Sequence, residues 1–104
     1  MEFQKILGNV NPQVLSVAVV NLDNIAYNYH KIEDELAKGS IVSAVVKGNS
    51  YGFGAIPISK RLYKEGCKNF FVATINEGIE IRNTLPHKDA RIFVLSGVLR
   101  FKEL

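Results

Sequence analysis

Apolar residues fall into four short, nearly continuous runs: Ser16 to Leu22, Ile41 to Lys47, Asn69 to Ala73 and Arg91 to Leu95. Their cores are rich in Val, Ile and Phe (Val17, Val19, Val20; Ile41, Val42, Val45, Val46; Phe70, Phe71, Val72; Ile92, Phe93, Val94). Continuous rather than alternating apolar character predicts strands buried on both faces, as in a parallel sheet covered by helices. The stretches between them carry helix punctuation. Asp23 is a candidate N-cap, Ile25, Tyr29, Ile32 and Leu36 share one face, and Gly39 ends the segment. The second stretch has Pro57 near its first turn, Ile58 and Leu62 on its face, and Gly66 as a stop. The third opens with Thr74 and Glu77 at capping-box spacing. Its apolar face is weaker, with Ile79, Arg82 and Asn83, and Gly78 lowers its helix propensity.

The predicted order βαβαβαβ is α/β. It suits either an open sheet or part of a (β/α)8 TIM-type barrel, about the first four strands and three helices. A complete barrel needs roughly 250 residues, so a barrel reading makes residues 16–104 an N-terminal fragment. Residues 1–15, with Gly8 and Pro12, read as a leader. Only nine residues follow Leu95, too few for a helix of normal length.

Composition narrows the function classes without naming one. The chain has 104 residues, 47% hydrophobic and 22% charged, an ordinary globular balance. No apolar run reaches the roughly 20 residues of a bilayer span, and the N-terminus lacks a signal-peptide layout, so a cytoplasmic location with no membrane partner is expected. The net charge of +3 is mild. Its densest cluster, Lys60, Arg61, Lys64 and Lys68, reads as a solvated face, and no nucleic-acid partner is expected. A single cysteine, Cys67, excludes an internal disulfide and reads as packing at a helix end. His30 and His87 lie far apart and form no metal-ligand spacing, so no metal is expected.

The segment that carries chemistry runs from Ala44 to Gly54, Ala-Val-Val-Lys-Gly-Asn-Ser-Tyr-Gly-Phe-Gly. Lys47 closes an apolar strand, and parallel α/β folds gather their ligand sites at the C-terminal ends of strands. An amine there can serve as a nucleophile. Gly52 and Gly54 allow a tight turn or a close approach to phosphate, and the Tyr51 hydroxyl can donate to it. No Walker-type Gly-Lys-Ser/Thr is present. On position alone the bland reading competes, since a strand-end lysine is more often a solvated terminus and the glycines only a turn.

The run Val45-Val-Lys-Gly-Asn-Ser-Tyr-Gly-Phe-Gly54 resembles the pyridoxal phosphate attachment motif of alanine racemases, VVKANAYGHG, at seven of ten positions. The flanks are similar in order and spacing. Val20-Asn-Leu-Asp-Asn-Ile25 with Asn28 resembles VDLDAI…N, Val72-Ala-Thr-Ile-Asn-Glu77 resembles VATLEEA, and Ile92-Phe-Val-Leu95 resembles ILVLG. The likeness covers about residues 16 to 97 and roughly a quarter of a family member.

This resemblance implies a pyridoxal phosphate-binding barrel followed by a β-domain, working as a homodimer that interconverts L- and D-alanine and supplies D-alanine for peptidoglycan. It implies that Lys47 bears the cofactor and is one of two acid/base groups at the substrate α-carbon. Tyr51 would contact the cofactor phosphate, and Val45 and Leu95 would pack near the pyridine ring. Gly48 and Ser50 replace alanines of the motif, Phe53 replaces its histidine, and Asn21 replaces an aspartate. The family's opposing tyrosine, the arginine facing the pyridine nitrogen and most phosphate contacts lie in later segments, so the 104 residues alone are expected to be inactive. Two alternatives remain beside the truncated racemase. One is a non-catalytic module that pairs with a separately encoded remainder; the other is a related pyridoxal phosphate racemase with a different amino-acid substrate.

Overall fold

A computed structural model describes residues 3–97. Helix α1 (Phe3–Leu7) buries none of its residues. It is followed by α2 (Leu22–Glu35), β1 (Ala44–Val45), a short turn α3 (Lys47–Tyr51), α4 (Ala55–Glu65), β2 (Asn69–Val72), α5 (Ile75–Thr84) and β3 (Arg91–Val94). The strands form one parallel sheet in the order β1-β2-β3. Val45 stands opposite Phe71, and Phe71 opposite Phe93. Parallel neighbours need crossovers, and α4 and α5 provide them.

The α/β class and the three later strands agree with the apolar runs, although β1 is shorter than the run that predicts it. The predicted strand at Ser16 to Leu22 is absent, leaving three strands among the described residues. No strand pairs with this stretch, Leu15 is fully exposed and Val17 is 42% exposed. Its last residue is drawn into α2, because the Asn21 side chain accepts from Asp23 N–H at 2.9 Å and Asn24 N–H at 3.2 Å. Asn21 is therefore the N-cap in place of Asp23, which sits in the first turn. The buried face of α2 is also displaced: Ala26 and Tyr29 are buried, while Ile32 and Leu36 are exposed. Leu36 already has extended backbone, three residues before Gly39.

The other two helices follow their sequence signals. Ile58 and Leu62 of α4 are buried, and Gly66 caps it with left-handed backbone, φ 116°. Thr74 and Glu77 form the capping box of α5. Gly78 has a packing reason: a Cβ there would meet Val94 Cγ2 at 3.3 Å. Arg82 anchors the loop from α5 to β3, donating to the carbonyls of Leu85, His87 and Ala90 at 3.1, 2.9 and 2.7 Å.

Expected burial on both faces of the sheet holds for one face only. The core joins Val46, Phe70 and Val72 to Ile58, Leu62, Ile81 and Leu85 of the helical layer and its loops. On the opposite face Val45 and Phe93 are more than two-fifths exposed, and Phe71 and Phe93 stack with ring centroids 4.7 Å apart. Helices α4 and α5 cover the first face, and no described element covers the second. Cys67 is fully buried just beyond α4, as its sequence position suggests, with burial pushing its thiol pKa up. Two of the four clustered cations are engaged rather than free, Arg61 with Asp23 and Glu65, and Lys68 with Asp89. No helix among the described residues is long and apolar enough to cross a membrane.

Candidate functional site

Lys47 lies one residue beyond β1, after Val46, and is half-buried at the C-terminal end of the sheet. What comes next is unusual backbone. Gly48, Asn49 and Ser50 have φ/ψ of 60/41°, 54/45° and 54/52°, and Tyr51 has φ 56°. They form a single left-handed helical turn. L-residues pay roughly 1–2 kcal/mol each for this conformation and seldom adopt it consecutively. Gly48, where the resembling motif carries alanine, avoids that cost at the first position.

Local bonds hold the turn. Ser50 N–H donates to Val46 O at 2.9 Å, Gly52 N–H to Gly48 O at 2.9 Å, and Gly54 N–H to Asn49 O at 2.9 Å. Asn49 Oδ1 accepts from Ala55 N–H at 2.8 Å, tying the turn to the start of α4. Gly52 and Gly54, with φ 87° and 98°, carry the chain out of it.

A carboxylate ties the turn to the next strand. Glu77 Oε2 accepts from Gly48 N–H at 2.7 Å, and Oε1 accepts from Ala73 N–H at 2.8 Å and Thr74 N–H at 3.4 Å. These donors hold the Glu77 carboxyl below the usual carboxylate range: Ala73 N–H contributes most, burial opposes it, and Gly48 N–H then adds to the lowering. The sequence marks Glu77 only as half of a capping box. Its reach to Gly48 depends on β1 and β2 being parallel neighbours, which local spacing does not encode.

The expected site residues separate into two groups. Val45 lies on the open sheet face in register with Phe71 and Phe93. Leu95, 57% exposed, extends past β3, its N–H donating to Val72 O at 2.9 Å. Together with Lys47 they mark the C-terminal end of that sheet. Tyr51, 64% exposed, instead lines an open cleft of about 580 Å³ with Asn21, Asn24, Ile25, Ser50 and Phe53. None of Val45, Lys47 or Leu95 lines that cleft.

Residues 20–104 match the family model described as "Alanine racemase, N-terminal domain". An alanine racemase of Rickettsia africae is 44% identical over 90 residues, covering 86% of this chain and 25% of the relative. One from Rhodospirillum rubrum is 44% identical over 82 residues, covering 79% and 22%. Among solved structures, alanine racemase from Bartonella henselae with covalently bound pyridoxal phosphate superposes with a TM-score of 0.74 at 37% identity, covering 81% of this chain and 24% of that one. Alanine racemase from E. faecalis gives a TM-score of 0.68 at 35% identity, covering 76% and 21%. The chain thus spans about a quarter of the length of the curated relatives it matches. With a matching fold, a matching family model and a lysine at the strand end, the chain belongs to the alanine racemase N-terminal domain family.

Proposed function

We propose that these residues form the cofactor-bearing portion of a pyridoxal phosphate-dependent alanine racemase barrel. The observation that carries the reading is Lys47 at the C-terminal end of β1, beside an open apolar face and followed by a tied left-handed turn. A flat aromatic aldehyde fits this setting, because the half-buried Lys47 ends the same side of the sheet on which Val45 and Leu95 leave apolar surface exposed. The relative from Bartonella henselae, with its covalently bound pyridoxal phosphate, supports the same assignment. When bound, the cofactor withdraws electrons from the substrate α-carbon.

The residues then have distinct tasks. Lys47 Nζ would hold the cofactor covalently and would take or return a proton on one side of the substrate α-carbon. Val45 and Leu95 would pack near the ring and exclude water. The Tyr51 hydroxyl would donate to the phosphate. Racemisation moves protons on both sides of the α-carbon and Lys47 serves one of them, so the 104 residues by themselves would not turn over L-alanine. In the whole enzyme the product would be D-alanine for peptidoglycan, made by a cytoplasmic homodimer.

Borohydride reduction of the purified chain with pyridoxal phosphate, followed by peptide mapping, tests the assignment. The expected label is on Lys47, with loss of the bound-cofactor absorption band in Lys47→Ala. Labelling spread evenly over Lys60, Lys64 and other surface lysines would overturn it. A D-amino-acid oxidase-coupled assay should show no D-alanine formation, and clear turnover would refute the inactivity of the isolated chain.

A further inference from the structure

Glu77 does more than a capping box asks of it. In such a box the N3 carboxylate returns to the N-cap N–H, here that of Thr74. That bond is the longest of its three, 3.4 Å, against 2.8 Å to Ala73 N–H and 2.7 Å to Gly48 N–H. The carboxylate is displaced from the cap toward two strand ends, with Oε1 serving the end of β2 and Oε2 the turn after β1.

The Gly48 bond has a specific geometric effect. Its N–H belongs to the peptide unit leaving Lys47, so the bond fixes that unit relative to β2. The same unit opens the left-handed turn, whose non-glycyl members Asn49, Ser50 and Tyr51 store strain. Without an external tie, relaxation of the turn would swing the backbone beneath the Lys47 amine. Bonds within the turn connect it to Val46, just beyond β1, and to α4, but the Glu77 bond connects it to α5 and the end of β2.

We propose that Glu77 is a positioning residue for Lys47: its carboxylate clamps the ends of β1 and β2 together and sets the direction of the cofactor-bearing amine. This rests on the assignment of Lys47 as the cofactor lysine, and the test separates the two claims.

The ¹⁵N-labelled chain reports the clamp directly through the Gly48 amide. Glu77→Ala should move the Gly48 amide proton upfield, and Glu77→Gln, which keeps an acceptor, should partly restore it. Reductive trapping with pyridoxal phosphate reports the amine. The ratio of labelling at Lys47 to that at Lys60 should fall about tenfold in Glu77→Ala, the scale of one charge-assisted hydrogen bond, and recover in part in Glu77→Gln. Thr74→Ala removes the hydroxyl that accepts from Glu77 N–H but leaves the carboxylate, and should preserve the ratio. A Thr74→Ala variant that behaves like Glu77→Ala would reduce Glu77 to a helix cap and overturn the proposal. So would a Gly48 amide indifferent to both Glu77 substitutions, or a labelling ratio that survives them. A responsive Gly48 amide with unselective labelling in the unmodified chain would support the clamp while overturning the cofactor assignment of Lys47.

Discussion

Gly78 shows what single-residue physics adds to a sequence reading. In a helix it costs about 1 kcal/mol relative to alanine, yet the position is buried and a Cβ would press on Val94, Ile92 and Val72 side chains at 3.3 to 3.6 Å. Gly78→Ala should therefore stay within about 1 kcal/mol of the unmodified protein, propensity offsetting crowding. Gly78→Val should lose about 2 kcal/mol by overpacking. Urea unfolding of both checks this, and an equally stable valine variant would contradict the close approach of α5 to the sheet. At the candidate site, Lys47 is legible because an apolar run ends on a charge and a recognisable motif follows. The left-handed turn is not, because Gly48 and Asn49 favour positive φ only as single residues and Ser50 and Tyr51 carry no mark of it. Glu77 is half legible: its spacing from Thr74 reveals the cap, whereas its bond to Gly48 joins residues brought together by strand pairing.

Pairing between elements is where charge patterning becomes informative. Helices α2 and α4 face each other through a chain of polar contacts. Arg61 bonds Asp23 at 2.9 Å and Glu65 at 3.0 Å, and His30 reaches Glu65 with Nε2 at 2.9 Å and Glu33 with Nδ1 at 3.1 Å. The bond to Glu65, then that to Glu33, raises the His30 pKa from its ordinary 6.5. Because the folded value is raised, the stabilisation is fully present below the unfolded pKa of about 6.5 and is lost as pH rises through the folded value. The urea midpoint should consequently fall as pH climbs above 6.5 in the unmodified chain, and His30→Gln should flatten that slope. Identical slopes would remove His30 from the helix–helix contact. Sequence spacing suggests helices at both places and identifies the α4 face and the α5 cap. It misplaces the start of α2, because either Asn21 or Asp23 can cap and only the hydrogen bonds distinguish them. It also predicts a strand at Ser16 to Leu22, since valine-rich sequence states a preference for extended backbone but does not provide a neighbour to pair with.

Seen whole, the sheet has one face built for stability and another left open. Phe70 is fully buried among the helices, while Phe93 on the other side is 42% exposed. Phe70→Ala should cost about 3–5 kcal/mol, a large share of the total stability of a domain of this size. Phe93→Ala should cost only about 1 kcal/mol, mainly its stack on Phe71. Comparable losses in thermal or urea unfolding would mean that the open face is packed in solution. Apolar content alone conceals this difference, because Phe70 and Phe93 read identically in sequence. The order of the strands carries a separate consequence for how the chain comes into being. Since β1, β2 and β3 pair in the order in which they occur, each strand meets an edge already synthesised. A ribosome releasing the polypeptide from its N-terminus can thus lay each of these strand–helix units upon the last, and among the described strands none waits for a partner other than its neighbour in sequence.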